Sequence, residues 1–133
     1  MDRISLKYLL PILVILLVFS SCARNGINEA DVPGRYVSNQ KNATETLEIR
    51  SDGTFTKSTI ILFPQGQAPI THAGKWELSR GNNDKLLVSF DPWGGQGVFL
   101  TSFSGSRDSL KIIIDVDSGL YYEKVSSENK IPE

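Results

Sequence analysis

Few side chains in this sequence carry reactive chemistry, and their spacing narrows what they can do. Cys22 is the only cysteine and His72 the only histidine. A transition-metal shell needs several imidazole or thiolate donors, so His72 is read as a structural or mouth-lining residue. Serines are numerous, but one histidine and no Gly-x-Ser-x-Gly turn leave no nucleophile with its base, and the chain is predicted not to be an enzyme. Asp115-Val116-Asp117-Ser118-Gly119, with Glu123 beyond it, has the acidic look of a calcium loop. Such a loop needs glycine at its sixth place and glutamate at its twelfth, whereas this glycine is fifth, so the segment is predicted to be a hairpin turn. Asp91-Pro92-Trp93-Gly94-Gly95-Gln96-Gly97 is rich in glycine but lacks the spacing and following helix of a phosphate cradle. A tryptophan between proline and a glycine pair is the kind of amphipathic anchor that interfaces favour; alternatively, Trp93 folds back to plug one end of a barrel. No metal or cofactor is expected.

The chemistry of Cys22 depends on what precedes it. Arg3 and Lys7, the apolar run 8–19, and the small residues Ser20 and Ser21 form the three parts of an export signal. A membrane-crossing helix needs about 20 apolar residues, and Pro11 interrupts this shorter run, so a permanent span is the weaker reading. Phe19-Ser20-Ser21-Cys22 resembles the lipobox of bacterial lipoproteins, with Phe19 where leucine is usual. The resemblance implies diacylglycerylation of the Cys22 thiol, cleavage before it and acylation of the new amine. Ala23 follows, so the aspartate that retains some lipoproteins in the inner membrane is missing, and outer-membrane sorting is implied. The bland alternative is ordinary secretion with Cys22 left as a free thiol, a liability in an oxidising compartment.

Residues 1–21 are thus expected to be a signal peptide, residues 22–31 the lipidated cysteine and a flexible tether, and residues 32–133 one domain. Removing the first 21 residues, with Asp2, Arg3 and Lys7, leaves 112 residues carrying 12 basic and 14 acidic side chains, a net charge of −2. That length suits a single core. No basic patch is present, so nucleic acid is not an expected partner. With one cysteine the domain has no internal disulfide and depends on burial and strand pairing.

From Pro33-Gly34 onward, short β-rich runs alternate with turn clusters, and no helical period interrupts them. Eight strands are predicted, over 35–38, 45–50, 54–62, 70–78, 85–90, 98–104, 109–115 and 120–125. Period-two alternation puts Leu47 and Ile49 on one face, then Trp76 and Leu78, then Leu86, Val88 and Phe90, then Leu110, Ile112 and Ile114, and these are the predicted core. Phe55 and Ile60 have opposite parity, which predicts a bulge near Lys57 or Ser58. His72 shares the parity of Trp76 and faces inward if Gly74 introduces no bulge. If the strands run up and down, the tight turns at 51–53, 79–84 and 105–108 share the end where the tether enters. The longer connections at 39–44, 63–69, 91–96 and 116–119 then share the other end.

Gly34-Arg35-Tyr36, Leu47-Glu48-Ile49-Arg50-Ser51-Asp52-Gly53-Thr54-Phe55 and Gly74-Lys75-Trp76 together resemble the lipocalin-like domains of small envelope lipoproteins, including NlpE-type copper-resistance proteins. Leu110-Lys111-Ile112 and Gly119-Leu120-Tyr121-Tyr122-Glu123-Lys124 look like the closing strands of that fold. The resemblance implies an all-β, eight-stranded, mainly antiparallel barrel or half-open sandwich. The C-x-x-C pair of the copper-resistance members is absent, so their thiolate chemistry is not carried over. Ser118-Gly119 with Tyr122 is faintly similar to the S-G-x-x-Y loop of lysozyme-inhibitor lipoproteins, without that family's disulfides.

The expectation is therefore a binding lipoprotein. It is held to the bilayer through acylated Cys22, faces the periplasm, and engages a protein partner in envelope maintenance or toxin neutralisation. The candidate contact residues lie on the loop end: Trp93, Phe63, Gln65, Gln96 and Ser118. The rival expectation is a carrier holding a small apolar ligand inside the barrel. Trp76, Phe55, Phe90 and the Leu/Ile set have the volume to fill a small barrel and favour the first.

Overall fold

The computed structural model describes residues 26–64 and 66–126. Cys22 and Gln65 lie outside them. Among the described residues no helix is long and apolar enough to cross a membrane.

Eight strands form: β1 (Gly34–Ser38), β2 (Ala43–Ile49), β3 (Thr54–Ile61), β4 (Ile70–Arg80), β5 (Leu86–Asp91), β6 (Phe99–Ser106), β7 (Ser109–Asp115) and β8 (Leu120–Lys124). Each pairs antiparallel with the next, and β1 pairs with β8, so the sheet closes into a barrel with every strand neighbouring its sequence neighbours. This up-and-down order places the tight turns at the end where the chain enters and the longer loops at the other. Closure also removes the two edges that an open sheet of this length would expose.

Alternation sets the core. Tyr36, Leu47, Phe55, Val88, Phe90, Leu110 and Ile112 point inward and are fully buried, joined by Trp76, Phe103 and Tyr122. Leu78, Leu86 and Ile114 pack against that cluster and are partly buried. Among the turns, the one after β2 shows how a short sequence fixes register. Asp52 accepts hydrogen bonds from the Thr54 amide at 2.9 Å and the Thr54 hydroxyl at 2.6 Å. Gly53 supplies the φ of 88° that the turn requires. The Trp76 indole then donates to the Arg50 carbonyl at 2.7 Å, tying β4 to the same corner.

Two expectations are corrected. No bulge interrupts β3: its register with β2 runs unbroken from Ala43↔Ile61 to Ile49↔Phe55, and its register with β4 from Thr54↔Lys75 to Thr59↔Ile70. Ile60 differs in parity from Phe55 because it faces outward near the loop end. The irregularity is in β7, where one extra residue falls between Ile113 and Asp115 against β8. There the Thr101 hydroxyl donates to the Ile113 carbonyl above the last β6–β7 pair, Phe103↔Ile112. The second correction concerns the chain's entry. Ile27 packs on the core and Glu29–Asp31 makes one turn of 3-10 helix, so this part of the expected tether closes the barrel base together with the fully buried Val32 that begins the expected domain. Tyr36 donates to the Val32 carbonyl at 2.6 Å, Arg107 pairs with Asp31 at 3.0 Å, and the Lys124 ammonium donates to the Asp31 carbonyl.

Candidate functional site

The loop end of the barrel differs from its base in being polar inside and apolar outside. On the inner wall, β2 contributes Glu45 two residues above Leu47, and β3 contributes Lys57 and Thr59 above Phe55, all at inward parity. The Glu45 and Lys57 side chains are only 14% and 15% exposed and stand 3.5 Å apart. Glu45 also accepts from the Thr59 hydroxyl at 3.1 Å and from the Tyr122 hydroxyl at 2.6 Å. Burial, reinforced by the Glu45 carboxylate that holds its proton, pushes the Tyr122 phenol far above its ordinary range. His72 lies directly across from Lys57 in the β3–β4 register and is half-buried. Since that register is unbroken past Gly74, its parity is that of Trp76, as the alternation requires. A side chain at Gly74 would meet the Asp91 carbonyl oxygen at 2.5 Å and the Phe55 ring at 2.8 Å, so the close approach of β5 demands glycine there.

Trp93 covers this cluster. The Trp93 amide donates to the Gly97 carbonyl at 2.7 Å and the Gln96 amide to the Trp93 carbonyl at 3.0 Å, while Gly94, Gly95 and Gly97 take positive φ. The loop thereby doubles back and turns the indole into the mouth. Its ring lies 5.0 Å from Phe99, 5.1 Å from Phe90, 6.1 Å from Phe55 and 6.2 Å from Tyr122. The Lys57 ammonium sits 4.6 Å over its face. Of the two sequence alternatives for Trp93, the geometry is the inward one: the indole is a half-buried cover of the mouth and does not project as an exposed anchor.

The other candidate residues are distributed as follows. Phe63 is 74% exposed on the β3–β4 loop, and Gln96 is exposed at the tip of the 92–98 loop. Ser118 is exposed, but its hydroxyl donates to Asp115 at 2.8 Å, and the Asp117 amide donates to the same carboxylate at 3.0 Å. Those bonds, that from Ser118 first, hold the Asp115 carboxyl below its usual range. The segment is a β-hairpin turn in which Asp115 is occupied by its own loop, and among the described residues no group of three or more His, Cys, Asp and Glu side chains is gathered as metal ligands. Of the large apolar side chains that stand exposed among the described residues, all but Val125 belong to the loop end or the strand ends beside it: Ile60, Leu62, Phe63, Ile70, Val98, Leu100 and Val116. Val98 and Leu100 are 65% and 57% exposed.

No protein-family model, curated protein or solved structure matches this chain. Alternation missed the Glu45, Lys57 and Tyr122 cluster, although polar residues at inward parity beside Leu47 and Phe55 were the available signal. The ionic groups satisfy one another, and the aromatic rings fill the space above the core.

Proposed function

We propose that this protein is a lipid-anchored envelope protein that binds a protein partner through the loop end of its barrel. The observation that carries the reading is the segregation of exposed apolar side chains to the end opposite the chain's entry. Clustered exposed apolar surface marks interaction sites on otherwise soluble domains. Attachment through Cys22, as its lipobox-like setting implies, puts the base nearest the bilayer and turns the loops outward into the periplasm. Binding is favoured over catalysis because the inward polar groups are paired with one another. Storage of a small apolar ligand is less supported, since the lower interior is filled by Tyr36, Leu47, Phe55, Phe90 and Leu110.

The test is cross-linking of the full chain in intact envelopes, comparing the natural sequence with Phe63→Ser/Val98→Ser. A discrete cross-linked product is expected with the natural sequence and is expected to fade in the double variant while the protein level holds. Equal cross-linking in both would refute the loop-end reading. Intact mass of the membrane-extracted protein checks the anchor, with loss of residues 1–21 and added acyl mass on Cys22 expected.

A further inference from the structure

The barrel wall is not of even height at the loop end. β4 pairs with β5 only from Arg80↔Leu86 up to Lys75↔Asp91, whereas its pairing with β3 continues up to Thr59↔Ile70. Residues 70–74 of β4 thus rise past the end of β5, about 17 Å of strand at the usual rise. The Trp93 amide, two residues past Asp91, donates to the Gly97 carbonyl of its own loop and does not extend the ladder to β4. The chain then turns inward with Trp93. Among the described residues, no backbone hydrogen bond joins Thr71 or Ala73 to the 92–98 loop.

The polarity of that edge can be read from the ladder. Hydrogen-bonding groups of an antiparallel strand face its two neighbours alternately. The Trp76 amide donates to Gly53 on the β3 side, and the Gly81 amide donates to Lys85 on the β5 side. Even-numbered residues of β4 therefore serve β3, and odd-numbered residues serve β5. The amides and carbonyls of Thr71 and Ala73 point to where β5 is missing. Edges of this kind are ordinarily protected by lysine, proline or a bulge. Residues 70–73 contain no lysine and no proline, and their register with β3 is regular.

We propose that the upper edge of β4 at Thr71 and Ala73 is a strand-addition site, taking an extended segment of a protein partner that continues β5. Main-chain bonds to Thr71 and Ala73 would fix the segment, and alternate apolar side chains on its outer face would meet Val98, which stands exposed at the parity opposite to the inward Phe99. The occupant is a peptide segment and not a second barrel. Two facing residues give an edge too short to bury the roughly 1,000 Å² that a stable contact between folded domains requires, whereas a flexible segment can lie along it. This deepens the loop-end reading and rests on it.

The experiment uses the full chain in detergent micelles and, as probe, a displayed library of random linear dodecapeptides. The expected result is recovery of peptides with alternating apolar residues that slow hydrogen exchange at the Thr71 and Ala73 amides. Ala73→Pro should weaken them at least tenfold, while Ala73→Ser, which keeps the amide, should not. Proline is tolerated on edge strands, and it keeps the preceding His72 extended. If Ala73→Pro fails to fold, Thr71→Pro and the exchange measurement on the natural sequence decide the matter. Peptides that depend on Phe63 but leave the Thr71 and Ala73 amides exchanging freely would overturn strand addition and spare the loop-end reading. Recovery of no peptide, or only of peptides bound at the base turns, would overturn both. Concentration-dependent protection of the two amides with a doubled mass and no peptide would make the occupant a second copy and overturn the proposal.

Discussion

Replacing Trp93 with alanine distinguishes a cover packed into the barrel mouth from a free loop residue. The indole contacts four aromatic rings with centroids 5.0 to 6.2 Å away and carries a lysine ammonium on its face. Truncating a fully buried tryptophan costs about 3–5 kcal/mol, and each well-placed aromatic pair adds roughly 0.5–1.5 kcal/mol beyond its area. Trp93 keeps part of its surface in water, which scales the expected loss down to about 2–3 kcal/mol. With a urea dependence of about 1–3 kcal/mol per molar for a small domain, the unfolding midpoint should fall by roughly 1–2 M. Equilibrium unfolding followed by circular dichroism reads this directly, and Trp93→Phe should recover about half of the loss. A midpoint unchanged within about 0.3 M would refute the inward packing and return Trp93 to the role of an exposed contact residue.

Trp76→Phe should lose about 1–2 kcal/mol, because the donor to the Arg50 carbonyl disappears from a buried corner; Trp76→Ala should lose about 3–5 kcal/mol, and both are read as urea midpoints. Glu45→Met alone strands the Lys57 ammonium and the Tyr122 hydroxyl and should cost about 3 kcal/mol, whereas Glu45→Met/Lys57→Met should come within about 1 kcal/mol of the natural protein. A double-mutant cycle without coupling would show that the pair is solvated. Asp31, Asp52 and Asp115 have depressed pKa values, caused first by bonds from the Asn28 amide, the Thr54 hydroxyl and the Ser118 hydroxyl. A depressed carboxyl adds stability that is complete above its unfolded pKa and is lost as pH falls through the folded one. Thermal midpoints should therefore hold from pH 7 to about pH 5 and drop below about pH 4, with Asp52→Asn flattening the drop.

The barrel was legible because its strands are half-buried and short, which is the condition under which period-two alternation carries information. Leu86, Val88 and Phe90 on β5 and Leu110, Ile112 and Ile114 on β7 could be placed facing inward on that ground alone. The mouth was harder, since alternation ranks positions by apolarity and so passes over Glu45 and Lys57, whose inward direction is stabilised by each other and by Tyr122. Trp93 lay outside any periodic segment. Its direction follows from the glycine-dependent return of the 92–98 loop, which sequence spacing does not encode. The bulge expected in β3 came from treating Ile60 as core, when it stands exposed near the loop end. The part of the expected tether that closes the base was passed over because Ile27 is an isolated apolar residue in a polar stretch.

The way the chain enters the base also decides how the domain would bear a mechanical load. A pull on the chain ahead of Ile27 would first meet Ile27, then the buried Val32 and the Asp31 contacts to Arg107 and Lys124, before reaching β1. β1 is bonded on both sides, to β2 and to β8, and its N-terminal end points toward the pull. Tension along the barrel axis would load those two ladders in shear, with many bonds resisting together, and not peel them one at a time. A base built this way lets the domain be pulled through its entering chain without the first strand coming loose.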